Sequence, residues 1–331
     1  MTKPFKVSQS KVKTWRKCRR AYHFKYVEKL RRKHKGRPLE FGTIAHAMIE
    51  AHLNGDNPDE VLELARKERG HMFNSELEHY GDVIDDLRII MNAYFDFWDG
   101  DGLTFDQLGG KSSELEFECE IASGIVATGK IDGIATSKQK LRWMVEHKTF
   151  NHLPSEDERW RNLQSCVYLR VIEMLGFKPA DGTLWDYISS KSPTEPRLLK
   201  SGRLSEKRIM TLPAKVIETA KKHGLPVRDY RDFIADTRER LPSYFQRIYT
   251  PAKPAVIEQV FADFVETSKE MRDCHGKVKA RTVDRHCTYC EYEPLCRAQL
   301  MGHDDKFIRS KDYETSTRPA ESHGTRGHKG A

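Results

Sequence analysis

The sequence predicts an α/β domain built on a mixed central sheet, and three observations carry that expectation. Helical and strand periodicities interleave along the chain, giving the coarse order α, α, β, β, β, α, β. Residues 114–150 hold three closely spaced strand-like runs, which is the pattern of a meander. At 331 residues the chain is long enough to bury a substantial core, as one large domain or two ordinary ones.

Each element has its own signal. "SQSKVKTWRKCRRAYHFKYV" (8–27) offers Ser10 as an N-cap and sets Val12, Trp15, Arg19, Tyr22 and Tyr26 at helical spacings. A basic loop runs to Pro38, and "EFGTIAHAMIEAHLNG" reads as a second helix with an apolar stripe of Phe41, Ile44, Ala45, Met48 and Ile49, His46 on its edge, and Asn54-Gly55 as the stop. Residues 58–98 are charged and helical, "DDLRIIMNAYFDFW" being the best amphipathic piece, with "DGDGL" ending them.

"ELEFECEI" (114–121) then alternates strictly, "IVATGKIDGIAT" (125–136) is β-branched, "SKQK" is a turn, and "LRWMVEHKTF" (141–150) alternates again. Residues 157–175 carry Trp160, Leu163, Val167, Ile172 and Leu175 near helical spacing, and "TLWDYIS" (183–189) is another strand. The Lys- and Arg-rich stretch 190–245 is expected to be helices and loops elaborating the domain, and 254–273 an amphipathic helix. Residues 302–331 are polar with little apolar material and are expected to be a disordered tail.

The net charge of +8 is unevenly spread: residues 1–37 contain fifteen Lys or Arg and one acid, for +14, and the rest of the chain nets −6. A local basic patch suits a phosphate backbone, and Trp15, Tyr22, Phe24 and Tyr26 interleaved with it offer rings for stacking on bases. A solvated basic arm is the plainer alternative. No apolar run approaches the roughly 20 residues of a membrane span, and the N-terminus lacks a signal-peptide core, so a soluble cytoplasmic protein is expected, with no membrane partner. Seven cysteines in such a chain point to metal ligation where they cluster.

The third strand-like run ends on Glu146-x-Lys148, which the period of two puts on one face. A surface ion pair would explain that pair alone. Asp132, on the preceding run, is close enough in a meander for the two carboxylates to share Mg²⁺ or Mn²⁺, and Lys148 would then stand beside the phosphate the metal polarises.

Asp132, Glu146-x-Lys148 and a following helix with Gln164-x3-Tyr168 together resemble the PD-(D/E)XK nuclease superfamily, and "GTIAH" (42–46) upstream resembles its RecB-type branch, with AddB, exonuclease V and the CRISPR-associated iron-sulfur exonucleases. The resemblance implies a restriction-endonuclease-like core over residues 1–301, with helical elaborations at about 55–110 and 190–250. It implies His46, Asp132, Glu146 and the main-chain carbonyl of His147 as ligands of Mg²⁺ or Mn²⁺, Lys148 as the catalytic lysine, and Gln164 and Tyr168 beside the scissile phosphate. Lys17, Arg19, Arg20, Tyr22 and Lys25 are expected on DNA.

"CTYCEYEPLC" sets Cys287, Cys290 and Cys296 as C-x2-C-x5-C, one thiolate short of a complete soft site. Cys18, in "WRKCRRAYHFKYV", resembles the first ligand of the iron-sulfur members of that branch, with Arg19 in place of their proline. The resemblance thus implies a structural [4Fe-4S] cluster in a helical cap joining the two ends of the chain, Zn²⁺ being the less favoured occupant. His286 is an alternative ligand, and Cys119 and Cys166 are expected in the core.

The function expected is a metal-dependent DNA exonuclease acting on single strands or free ends in recombination, repair or end processing. A recombinase, a helicase or CRISPR-adaptation proteins in a prokaryotic or phage-infected cell are the partners the resemblance implies, and, with no G-x4-GK[ST] motif in the chain, any unwinding is expected to come from a partner. A structure-selective endonuclease and a non-catalytic DNA-binding adaptor subunit are the alternatives.

Overall fold

Short-range signals account for most of the elements in a computed structural model of the chain, which describes residues 3–33, 36–69, 83–107, 112–274 and 276–316. Strand β1 (Phe5–Val7) leads into helix α1 (Gln9–Lys17), whose N-cap is Ser8, not the expected Ser10. The helix expected over 8–27 is broken at Cys18, whose backbone is extended, and restarts as α2 (Arg19–Tyr22) and a π turn, His23–Val27. After β2 (Leu30–Arg32) comes α3 (Arg37–Asn54), started by Pro38 in its first turn and stopped by Gly55 at φ +81°, a conformation glycine adopts without steric cost. Helices α4 (Pro58–Arg69) and α5 (Val83–Trp98) follow.

The meander proves to be two hairpins in two sheets. Strand β4 (Leu115–Ala122) pairs antiparallel with β5 (Ile125–Ile131), and β1 adds to β5 in parallel, making a three-stranded sheet. Asp132 belongs to neither ladder. Beyond it, β6 (Gly133–Thr136) joins a five-stranded sheet of order β3-β6-β7-β8-β9, where β3 is Thr104–Phe105, β7 Arg142–Phe150, β8 Gly182–Ser189 and β9 Phe245–Pro251. The sheet is mixed, as expected: β7 and β8 run parallel and the other pairs antiparallel.

The parallel pair needs a crossover. The chain supplies α6 (Glu156–Trp160), with a Ser155/Glu158 capping box, and α7 (Leu163–Met174), capped by the Asn162 side chain. One core lies under α7, where Val167, Tyr168, Val171 and Ile172 meet Phe117, Ala127, Ile131 and Met144 of the strands and Phe264 from the C-terminal half of the chain. Gly129 permits that packing, because a Cβ there would lie 2.6 Å from the Phe117 ring and 2.7 Å from the Tyr168 hydroxyl. A second core joins Phe41, Ile44 and Met48 of α3 to Leu87, Ile90 and Tyr94 of α5 and Ile188 of β8. Part of the segment expected as an elaboration at 55–110 is therefore core.

Helices α8 (Pro213–Lys222) and α9 (Arg231–Glu239) form a satellite cluster around Val216, Tyr230 and Phe233. The edge strand β9 begins where only helices and loops were expected. Helix α10 (Pro254–Cys274), as expected, is amphipathic and continuous, and α11 (Glu293–Leu300) carries Cys296. The expected disordered tail is corrected in its first half: α12 (Lys306–Asp312) is followed by β10 (Tyr313–Thr315), which pairs antiparallel with β2. Average composition hid two apolar anchors: Tyr313 is buried with Phe24, Leu30 and Tyr292, and Ile308 packs against them. The rest of the tail, 317–331, lies outside the described residues.

Candidate active site

The break between the two sheets is where the polar side chains gather. Pairing ends at Leu115–Ile131 on one side and resumes at Gly133–Val145 on the other, so Asp132 is freed from both ladders. Its carboxylate Oδ2 accepts the main-chain N–H of His147 at 2.8 Å, and its Oδ1 lies 3.7 Å from Nδ1 of His46 on α3. Gly42, one helical turn before His46, lets α3 approach β7, for a Cβ there would stand 3.3 Å from Thr149 Oγ1.

Glu146 and Lys148 share the face of β7 that looks toward α7. The Lys148 ammonium is ion-paired with Glu146 and lies 3.3 Å from Gln164 Oε1, while Gln164 Nε2 donates to Glu146 Oε1 at 2.7 Å. Glu146 is 1% exposed, and its other oxygen, Oε2, has no hydrogen-bond partner among the described residues. A buried carboxylate oxygen left open is costly to maintain. Burial raises the Glu146 pKa, with Lys148 pulling the other way and Asp132 adding to the rise. For Lys148, burial lowers the pKa, but Glu146 and Asp132 outweigh it, so the ammonium stays protonated above its ordinary range. Burial and the charges of His147 and Lys148 push His46 down to about 3, leaving a neutral imidazole with a lone pair to offer.

Among the described residues, the trio whose ligand atoms all lie within 4.8 Å of one another is His46, Glu114 and Asp132. Glu114 was missed in the sequence. Strand alternation would set it on the same face as the exposed Glu116, but a φ of +57° takes Glu114 out of the ladder, and its N–H donates to the Asp132 carbonyl at 3.1 Å. It is ion-paired with Lys130, so it adds a half-compensated carboxylate. In the sequence Glu114 is the first residue of the alternating run 114–121, and nothing there sets it apart from Glu116, Glu118 and Glu120.

Tyr168 lies one turn beyond Gln164 but is 5% exposed, with its ring edge-on to Phe117. The rings expected to stack on bases are largely inside the protein: Trp15, Tyr22 and Phe24 are buried, Trp15 and Tyr22 packing edge to face at 5.0 Å. Trp15 sits on α1, Tyr22 on α2 and Phe24 in the π turn, and all three face the core. Three of the expected DNA-binding cations are engaged within the chain, Arg19 with Glu270, Arg20 with Gln299 and Lys25 with Glu291, while Lys17 is exposed.

The four cysteines singled out in the sequence converge. Cys18, Cys287, Cys290 and Cys296 line one cavity of about 340 Å³ together with Arg20, Arg281 and His286. The extended backbone at Cys18 makes this convergence compatible with Arg19, which simply opens the next helix. Arg281 Nε donates to Cys296 Sγ at 3.3 Å. Cys119 and Cys166 are buried in the strands and α7, as expected, and Cys274 does not line the cavity.

No helix among the described residues is long and apolar enough to cross a membrane. No curated protein matches the chain. Among solved structures, one titled "Crystal structure of SSO0001" is similar at 12% identity and a TM-score of 0.30, over 78% of this chain and 85% of that one. The model of the PD-(D/E)XK nuclease superfamily matches residues 6–297. That match runs through every strand and helix on which the site is built, from β1 to the helix bearing Cys296, and the chain therefore belongs to the PD-(D/E)XK nuclease superfamily.

Proposed function

We propose that this protein is a metal-dependent DNA exonuclease whose two chain ends are held together by a structural [4Fe-4S] cluster. The observation that carries the catalytic half is the open Oε2 of Glu146, buried near Asp132 and His46 with no hydrogen-bond partner among the described residues. A hard divalent cation satisfies such an oxygen, and neutral imidazole and carboxylates are donors such a cation accepts. His46, Asp132 and Glu146, with Glu114 and the His147 carbonyl, would hold Mg²⁺ or Mn²⁺. When bound, the cation polarises a phosphoryl oxygen and acidifies a coordinated water.

The chain's own groups do the rest. Lys148 stays charged, so it acts as a hydrogen-bond donor and counter-charge to the phosphorane and does not take up a proton. Gln164 fixes both Lys148 and Glu146, which limits the rotamers either can adopt. Tyr168, one turn beyond Gln164, packs α7 against Phe117, and Lys17 is one of the exposed cations of the basic segment open to a phosphate backbone. The polar, inward-facing arrangement favours catalysis over a purely adaptor role, since a binding protein gains nothing from acids set against phosphate.

The cluster is supported by four thiols from opposite chain ends lining one cavity, with two guanidinium groups beside them. A tetrahedral Zn²⁺ site would bring thiolate sulfurs to about 3.8 Å of one another. A [4Fe-4S] core spaces its four thiolates more widely, and the iron and zinc content of the purified protein separates the two occupants.

The test is degradation of end-labelled linear DNA, single- and double-stranded, with Mg²⁺ or Mn²⁺, by anaerobically purified wild type and Lys148→Ala. Loss of label with wild type and a fall of roughly 10²-fold or more with Lys148→Ala is expected. Wild type that binds DNA and leaves it intact with either metal refutes the catalytic reading. Absorbance near about 400 nm, with iron and no zinc in the purified protein, tests the cluster.

A further inference from the structure

Behind the active strand lies a row of buried charge that the proposed reaction does not use. His147 points away from the Glu146 and Lys148 face. On the far face, three strands in direct register set His147 of β7 beside Asp186 of β8, and Asp186 beside Arg247 of β9. His147 Nδ1 is 3.0 Å from Asp186 Oδ2, and the same oxygen accepts the hydroxyl of Tyr94 from α5. Arg247 Nε lies 3.5 Å from Asp186 Oδ1, its NH1 pairs with Asp101, and its guanidinium stacks on Trp98 at 4.0 Å. Asp186 is 0% exposed.

Stability alone is a poor reason for such a row. Taking carboxylate and guanidinium groups out of water costs several kcal/mol per ion, and apolar residues of the same volume often do as well or better. What the row does have is a connection to the site. The main-chain N–H of His147 holds Asp132, and the residues on either side are Glu146 and Lys148. Fixing the His147 ring fixes the one segment from which three of the site's groups hang.

We propose that Asp186, itself held by Tyr94 and Arg247, is a positioning residue for the catalytic strand, acting through the His147 ring on Asp132, Glu146 and Lys148. This rests on the nuclease reading for its consequence in turnover, and not for its consequence in metal binding. Partners that orient metal-ligating groups typically govern about 10–100-fold in metal affinity or activity, and here the oriented groups are Asp132, Glu146 and the His147 main chain, reached through the His147 ring.

The experiment measures Mn²⁺ affinity by titration calorimetry, and kcat and KM on labelled DNA, for wild type, Asp186→Asn, Tyr94→Phe, His147→Ala and Asp186→Asn/His147→Ala, with circular dichroism to verify folding. Asp186→Asn is expected to weaken Mn²⁺ binding and lower kcat by about tenfold while KM stays within about twofold. Tyr94→Phe removes one hydroxyl from the core and is expected to do the same more weakly, by about threefold, which keeps the test open if Asp186→Asn does not fold. In the His147→Ala background, Asp186→Asn is expected to add less than about twofold, because the coupling runs through that ring. Mn²⁺ affinities like wild type in both Asp186→Asn and Tyr94→Phe, or an undiminished effect of Asp186→Asn without the His147 ring, would overturn the proposal. If wild type binds Mn²⁺ but cleaves no DNA, the nuclease reading fails, and the Mn²⁺ cycle decides the positioning claim by itself.

Discussion

Replacing Glu146 with Gln should make the protein more stable without metal and less stable with it. Glu146 is 1% exposed, its Oε1 is shared between Gln164 and Lys148, and its Oε2 is open. A buried polar atom without a partner costs about 1–3 kcal/mol, and more when charged. The glutamine keeps the shape and the Oε1 acceptor but removes the charge that burial and Asp132 both oppose. What it forfeits is attraction to Lys148, whose side chain is 39% exposed, worth only about 1 kcal/mol. The balance is a gain of about 1 kcal/mol in EDTA, or about 2 °C in Tm for a chain this size. At Mn²⁺ a hundredfold above the wild-type Kd, wild type gains about 2.7 kcal/mol, whereas a variant with about 100-fold weaker binding gains only about 0.4 kcal/mol. The order of stabilities therefore inverts, with wild type ahead by about 1 kcal/mol. Denaturant unfolding of both proteins in EDTA and in Mn²⁺ reads this directly. A variant less stable than wild type in EDTA would show that the open carboxylate costs nothing; equal gains from Mn²⁺ would remove Glu146 from the ligand set.

Other changes separate architecture from chemistry. Gly129→Ala sets a Cβ 2.6 Å from the Phe117 ring and 2.7 Å from the Tyr168 hydroxyl, so it should cost about 1–3 kcal/mol in chemical denaturation; a neutral result would mean that the β4–β5 hairpin gives way freely. His46 is held neutral down to about 3 in the folded chain, whereas in the unfolded chain it titrates near its ordinary value of about 6.5, so the unfolded state takes up the proton first as pH falls. Metal-free stability should thus decline from about pH 6.5 toward about pH 3, and His46→Gln should flatten that decline in urea midpoints measured between those limits; identical slopes would contradict it. Cys290→Ser should abolish iron binding and expose the segment after Lys277 to limited proteolysis, and an iron content equal to wild type would show that the thiol cavity is not the cluster site.

The sequence by itself determined the parts of this protein whose signals are local. Periodicity placed α3, α7 and α10, and the Glu146-x-Lys148 pair needed only the alternation of a strand to share a face. Gln164 was singled out by the Gln164-x3-Tyr168 resemblance, and the structure adds the Asn162 cap that starts its helix two residues earlier. The cysteine spacing marked Cys287, Cys290 and Cys296 as a group.

What only the tertiary structure decided depends on contacts distant in sequence. Alternation cannot reveal that a strand changes sheets at Asp132, because the residues on both sides keep a strand's pattern while exchanging partners. Glu114 reaches the site through one left-handed residue, which pattern reading takes for an ordinary strand start. Interleaved Lys, Arg and aromatic residues look alike whether the rings face solvent or a core; here Trp15, Tyr22 and Phe24 face the core, and several of the cations bind the chain's own C-terminal half. The row of His147, Asp186 and Arg247 exists only as register across three strands, two of them parallel. Burial and register are properties of the assembled sheet, so the groups proposed for the chemistry, Glu114 apart, could be read one by one from the sequence, while the groups that hold them in place could not.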